Sequence, residues 1–287
     1  MTDALHSLEQ ALTLTPGADV GLDALLHEDF SNAYVSQPPT AGFPFGGLLA
    51  ALCAGAMGQG LDINSPLRTL SVQYLASAAY GQTLTFTPRM LRGGRTVAYT
   101  SVEAAQGGRL THHAAATWGA DKAGAVIPPT LQPPPPRDSL DPRATVGGPM
   151  SPRFSRYVDY LFDGGPNILG GNEGREPVER VWMRIKGGRP LTEAHLCYLL
   201  DALYPPSWTA FKRPPMMTTI DLRYDLFEAV KPDTAPDGWL FFEFRVLMLE
   251  NGWTVDDAAA WTADGRPLAA SRQRRKLLGD RPERTAR

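Results

Sequence analysis

Two stretches of this chain are apolar almost all the way through: GGLLAALCAGAM (Gly46 to Met57) and TEAHLCYLLDALY (Thr192 to Tyr204). The first carries no charge, and the second only Glu193 near its start and Asp201 near its end. Both are predicted helices, and a helix that is apolar on every side is buried on every side. Each is followed by four strand candidates. After the first come RTLSVQYLAS, QTLTFTPRML, TVAYTSVEAAQ and RLTHHAAATW. After the second come TTIDLRYDLF, GWLFFEFRVLML, TVDDAAAWTA and PLAASRQRRKLL. Each helix is also preceded by a predicted strand, SNAYVS in the first half and VERVWMRIK in the second.

The two series read as an internal repeat. Thr69-Leu70-Ser71-Val72-Gln73-Tyr74 lines up with Thr219-Ile220-Asp221-Leu222-Arg223-Tyr224. A Gly-x-Thr-Val follows in both (Gly94 to Val97, Gly252 to Val255), and later a Gly-Arg (Gly108-Arg109, Gly265-Arg266). Between the halves, residues 125 to 152 are dense in proline, which excludes helix and discourages a central strand. The expected organisation is a module over 1–124, an extended linker over 125–152 and a second module over 153–287, with a basic tail at its end. A module of about a hundred residues can bury a wholly apolar helix by wrapping a curved antiparallel sheet around it and covering the open side with a second copy. The expected fold is therefore α+β, a tandem (double) hotdog.

Composition removes some classes of function. Hydrophobic residues make up 43% and charged residues 20%, ordinary for a globular chain. A net charge of −2 gives no attraction for nucleic acid. The two cysteines, Cys53 and Cys197, lie apart in apolar runs, so no disulfide framework is expected and a reducing compartment is. The opening MTDALHSLEQALTLT lacks the basic-then-apolar order of a signal peptide, and the longest apolar run is too short to span a bilayer. A soluble cytoplasmic protein, with no membrane partner, is the expectation.

The motifs then resemble a known family, the acyl-CoA thioesterase II type, over most of the chain. Phe45-Gly46-Gly47 is similar to that family's Phe-Gly-Gly at a helix start, and MLRGGRTVAYTSVEAAQGGRL to its Leu-Arg-x-Gly strand pair. Arg180-Val181-Trp182-Met183-Arg184 resembles its Val-Trp-Ile-Arg strand. The resemblance implies a double hotdog that hydrolyses acyl-CoA without a cofactor, and a homodimer. It also implies a catalytic trio of Asp201, Thr219 and Gln273 that orients a water. The chain departs from the family pattern at Leu200, where a serine is common, at Ser71, where a histidine is common, and in a shorter loop from Asp201 to Thr219.

The residues support parts of this on their own chemistry. Asp201 is an ionisable group on an apolar helix, so it must be paired, shifted in pKa or exposed at an opening, and a carboxylate so placed can take a proton from water. Counting by twos places Thr219 with Asp221, Arg223 and Asp225 on the more polar face of its strand. Gln273 can both donate and accept. Its neighbours Arg272, Arg274, Arg275 and Lys276 read as a solvated edge strand, with CoA phosphate binding as the alternative. Backbone N–H groups at a buried helix N-terminus would hold an oxyanion; Gly46-Gly47 and the helix start near Thr192 are equal candidates.

Other chemistries lack their residues. His112 and His113 are adjacent on a strand and point to opposite faces, and His195 has no ligand cluster around it, so no metal is expected. There is no Gly-x-Ser-x-Gly elbow, no P-loop and no dinucleotide fingerprint, and GGNEGRE (170–176) is too irregular to cradle phosphate. A hotdog hydratase would pair Asp with His, which neither helix offers. The remaining alternative is a non-catalytic acyl-CoA or acyl-ligand binding protein on the same scaffold.

Overall fold

The computed structural model describes residues 7–17, 21–124, 134–140, 146, 148–164, 177–211 and 214–279. The first half contains α1 (Leu8–Ala11), β1 (Thr15–Pro16), β2 (Leu22–Leu25), α2 (Gly46–Gly60), β3 (Leu67–Tyr74), β4 (Thr83–Gly93), β5 (Ala98–Gln106) and β6 (Arg109–Trp118). The second contains β7 (Val158–Phe162), β8 (Val178–Ile185), α3 (Glu193–Leu199), β9 (Met217–Leu226), β10 (Leu240–Glu250), β11 (Trp253–Trp261) and β12 (Pro267–Leu277).

All twelve strands form one antiparallel sheet in the order β1-β2-β4-β5-β6-β3-β9-β12-β11-β10-β8-β7. The order is a palindrome of the repeat: β4-β5-β6-β3 meets its counterpart β9-β12-β11-β10 across the β3–β9 pair. In that pair Val72 lies opposite Leu222, with Ser71 opposite Arg223 and Gln73 opposite Asp221, so a pseudo-twofold axis runs through Val72 and Leu222. This is the tandem hotdog, and the seam between the halves is a full strand ladder.

Helix α2 lies inside the first half of the sheet, with Leu48, Leu49, Ala50, Ala51, Leu52, Cys53, Ala56 and Met57 all buried. It packs on β3, β4, β5 and β6 on one side and on α3 on the other, so its lack of a polar face is a direct consequence of its position.

Two elements differ from the sequence expectation. SNAYVS makes only two isolated bridges, Ser31 to Pro44 and Tyr34 to Pro152; the strand beside β4 is β2 instead. Local side-chain bonds account for this. Ser31 Oγ donates to Pro39 O and accepts from Ala33 N–H, and Asn32 Oδ1 accepts from Phe43 N–H at 2.7 Å, so backbone groups that a ladder would use are tied into a turn. The second helix is shorter than Thr192 to Tyr204. Thr192 caps it, accepting from His195 N–H at 3.1 Å, and it closes at Leu200 in a tighter turn, with Ala202 N–H donating to Leu199 O. Pro205 and Pro206 follow and cannot continue it. Asp201 therefore sits just past the helix rather than on it.

One described part of the proline-rich segment, Pro134 to Leu140, lies on the outer face of the second half. Trp182 Nε1 donates to Pro135 O (3.2 Å), Arg137 pairs with Asp237 (2.8 Å), and its guanidinium stands 5.5 Å from the Trp239 ring centre. The rest of the expected linker (125–133, 141–145 and 147), the GGNEGRE loop (170–176) and the tail beyond Gly279 lie outside the described residues. Among the described residues no helix is long and apolar enough to cross a membrane.

Candidate active site

The end of α3 meets the beginning of α2. The contact is close enough that only glycine fits: a Cβ on Gly47 would lie 2.9 Å from Tyr198 O, and one on Gly46 would lie 2.9 Å from Asp201 Oδ2 and 3.3 Å from Tyr74 Oη. Asp201 thus reaches the N-terminus of α2, where the Gly47 backbone N–H favours the charged form of its carboxyl. Free amides and the helix dipole favour a negative charge at such a position. Of the two helix starts that sequence left equal, Gly46-Gly47 is the one beside Asp201. The start of α3 lies at the far end of that helix and is capped by its own Thr192.

Thr219 and Gln273 come from the sheet. Strands β9 and β12 pair Asp221 with Arg274 and Thr219 with Arg275, leaving Ile220 without a partner. This irregularity shifts the alternation by one, as a β-bulge does. Thr219 therefore leaves the face of Asp221, Arg223 and Asp225, where counting by twos had placed it, and turns to that of Leu222 and Tyr224. There its Oγ1 accepts from Gln273 Nε2 at 2.6 Å. The Gln273 amide also favours the charged form of the Asp201 carboxyl, so the three residues of the expected trio converge from three elements.

A fourth residue stands among them. Arg275 is 7% exposed, its guanidinium donating to Asp256 Oδ2 and to Gln273 Oε1 and lying 3.8 Å from Asp201 Oδ1. Asp256, on β11 opposite Gln273, is itself buried and also accepts from Thr254 Oγ1. Burial pushes the Asp201 carboxyl up from 3.8 to about 6, against the opposing pull of Arg275, the Gln273 amide and the Gly47 N–H. Asp201 is therefore a carboxylate at neutral pH, held near the point of protonation. Tyr74, Tyr198 and Tyr224 surround it, and burial holds all three phenols well above their ordinary range, so they remain neutral donors. Tyr74 Oη donates to Gly46 O and Tyr198 Oη to Phe154 O, whereas Tyr224 Oη is buried without a hydrogen-bond partner among the described residues.

The pseudo-twofold axis relates Gln273, Arg275 and Asp256 to apolar residues. Gln273 pairs with Leu222, and the residue paired with Val72 is Ala114. Two residues beyond Ala114, where Arg275 has its counterpart, is Ala116, and Val102 lies opposite Ala114 as Asp256 lies opposite Gln273. All three are buried. At the other end of the α2–α3 seam is a cleft of about 580 Å³ lined by Ala54, Gly58, Trp118, Thr192 and Glu193. Among the described residues, the Gln273–Arg275–Asp256 group therefore has no like counterpart in the first half.

Two family models match the chain. The acyl-CoA thioesterase N-terminal domain covers residues 35–119, and the acyl-CoA thioesterase C-terminal domain covers 128–274, more than half of the sequence on its own. The chain belongs to the acyl-CoA thioesterase II-type family. No curated protein matches it in sequence. Solved structures match it in fold. A hotdog protein of unknown function from Alicyclobacillus acidocaldarius is 19% identical, covering 96% of this chain and 99% of that one, with a TM-score of 0.84. An acyl-CoA thioesterase II from Mycobacterium marinum is 17% identical over 95% and 98% of the two chains, with a TM-score of 0.73.

Within this thioesterase-family frame, sequence reasoning missed Arg275, Asp256 and Tyr224. The stretch SRQRRK is not a solvated edge: β12 lies between β9 and β11 in the middle of the second half. Its cations divide by face. Arg272 forms an outer bidentate pair with Asp257 (2.7 and 2.8 Å), and Lys276 stands 4.6 Å from the Trp253 ring centre, while Arg275 points inward. The usable signal was the two-residue period itself, which puts Ser271, Gln273 and Arg275 on one face.

Proposed function

We propose that this chain hydrolyses acyl-CoA thioesters at the Asp201 site by activating a water. One observation carries the reading: a buried carboxylate at a helix N-terminus converges with Gln273 and Thr219, in the second half of the repeat alone. The Asp201 carboxylate takes a proton from water as the oxygen attacks the thioester carbonyl carbon. The tetrahedral intermediate collapses with cleavage of the C–S bond, and the departing CoA sulfur receives the proton from Asp201. Gln273 and the Thr219 hydroxyl hold the water and the carbonyl in line. Backbone N–H groups at the start of α2, around Gly46 and Gly47, stabilise the oxyanion.

The surroundings suit an amphipathic substrate. Exposed Leu75, Met216 and Leu278 stand at one end of β3, β9 and β12, the end at which Thr219 lies, and Leu278 N–H bonds Met216 O at 2.9 Å. The test is thiol release from short-, medium- and long-chain acyl-CoAs, comparing the native protein with Asp201→Asn. Turnover is expected and should fall about a hundredfold or more in the variant. Turnover that survives the substitution would reject the site, and binding without turnover would favour an acyl-CoA binding protein.

A further inference from the structure

The Arg275 guanidinium offers five N–H donors and no acceptor. That settles the orientation of the Gln273 amide. The atom facing Arg275 must be the carbonyl oxygen, so the NH2 group faces Thr219 and Asp201. Thr219 Oγ1 accepts one of those protons, which leaves its own hydroxyl proton to be donated onward. Without a cation at Arg275 the amide could turn over and present its oxygen to the Asp201 carboxylate, two acceptors face to face.

Arg275 is itself held in place. Its second bond runs to Asp256, whose carboxylate is buried on β11. The groups that face Asp201 are the Gly47 N–H from α2, Tyr74 from β3, Tyr198 from α3, Tyr224 from β9, and Gln273 and Arg275 from β12. Among these, Arg275 is the one cation. The counterpart of this pair in the first half is Ala116 and Val102, neither of which carries a charge.

We infer that Arg275, tethered by Asp256, is the positioning residue of the Asp201 site: it locks the Gln273 amide in its donor orientation and supplies the cation that faces the Asp201 carboxylate. An opposite charge within about 4–6 Å typically moves a carboxyl by about 1–3 pH units. The inference rests on the proposed hydrolysis for its kinetic readout but not for its spectroscopic one.

The test uses two variants of the full chain. Arg275→Met alone would strand the Asp256 charge in the interior, so it is paired with Asp256→Asn to keep the interior neutral. The Asp201 carboxyl is followed by 13C NMR, its signal assigned by its loss in Asp201→Asn. In the double variant the titration midpoint is expected to rise by about one pH unit or more, and the acid limb of kcat/KM to move with it. A midpoint left where it is in the native protein would overturn the electrostatic half. Arg275→Lys keeps the charge and loses the planar fork. Its midpoint is expected to stay near the native one while kcat falls about tenfold or more as the amide loses its lock. An unchanged kcat in Arg275→Lys would overturn the positioning half. If the native protein turns over no acyl-CoA, the NMR midpoint still decides the role of Arg275, and only the proposed function fails.

Discussion

Replacing Asp201 with asparagine is expected to stabilise the protein, by an amount that grows with pH. Burial raises the Asp201 carboxyl from 3.8 to about 6. Between those two values the folded protein holds a proton that the unfolded chain has released. This group therefore favours folding most at low pH, and its contribution falls as pH rises from 3.8 to about 6. A difference of about two units at 1.36 kcal/mol each makes the ionised carboxylate cost about 3 kcal/mol above that window. Asparagine removes the cost and keeps the shape. Arg275 remains neutralised by Asp256, so no charge is left stranded. Roughly half of the 3 kcal/mol develops between about pH 5 and about pH 8. Urea unfolding of both proteins at those two pH values should show the advantage of the variant growing by about 1.5 kcal/mol. An advantage that does not change with pH, or a variant less stable than the native protein near pH 8, would refute the burial argument. Gained stability with lost turnover is the pattern expected of a residue kept for chemistry at the expense of folding.

Two further predictions test neighbouring features. Gly46→Ala puts a methyl 2.9 Å from Asp201 Oδ2, and displacing the carboxylate is expected to lower kcat/KM by about tenfold or more; unchanged kinetics would show that the Asp201 position is not critical. Glu179, buried on β8 with neither carboxylate oxygen hydrogen-bonded among the described residues, is pushed by burial up to about 8, so its contribution to stability declines as pH rises from 4.5 to about 8. Glu179→Gln should then stabilise the fold by about 3 kcal/mol near pH 7 and by much less near pH 4, and a pH-independent difference in unfolding free energy would contradict it.

The repeat, the two buried helices and the eight strands that follow them were legible because each depends on local pattern. A helix with no charge over twelve residues has only one kind of place to go, and GGLLAALCAGAM went there. Local chemistry hinted that SNAYVS is a turn, since Ser31 Oγ accepts from the backbone N–H two residues on, but the Asn32 bond to Phe43, eleven positions away, belongs to the fold. Asp201, Thr219 and Gln273 could be named from the motif resemblance, but their meeting could not be read from spacing.

What tertiary structure alone decided is who faces whom. The unpaired Ile220 reverses the face of Thr219, and no alternation rule sees a bulge that arises from pairing with a distant strand. Arg275 looks like one of four solvated cations until β9 and β11 flank β12 and bury it alone of the four. Gly46-Gly47 and Thr192 are equivalent as sequences, and only the antiparallel meeting of α2 and α3 places Asp201 at the first. Sequence by itself determined the repeat, the two buried helices and the strands that follow them, because periodicity and burial are properties of a single segment. The site was decided by the fold, because a hydrogen bond between residues 54 positions apart belongs to neither of them alone.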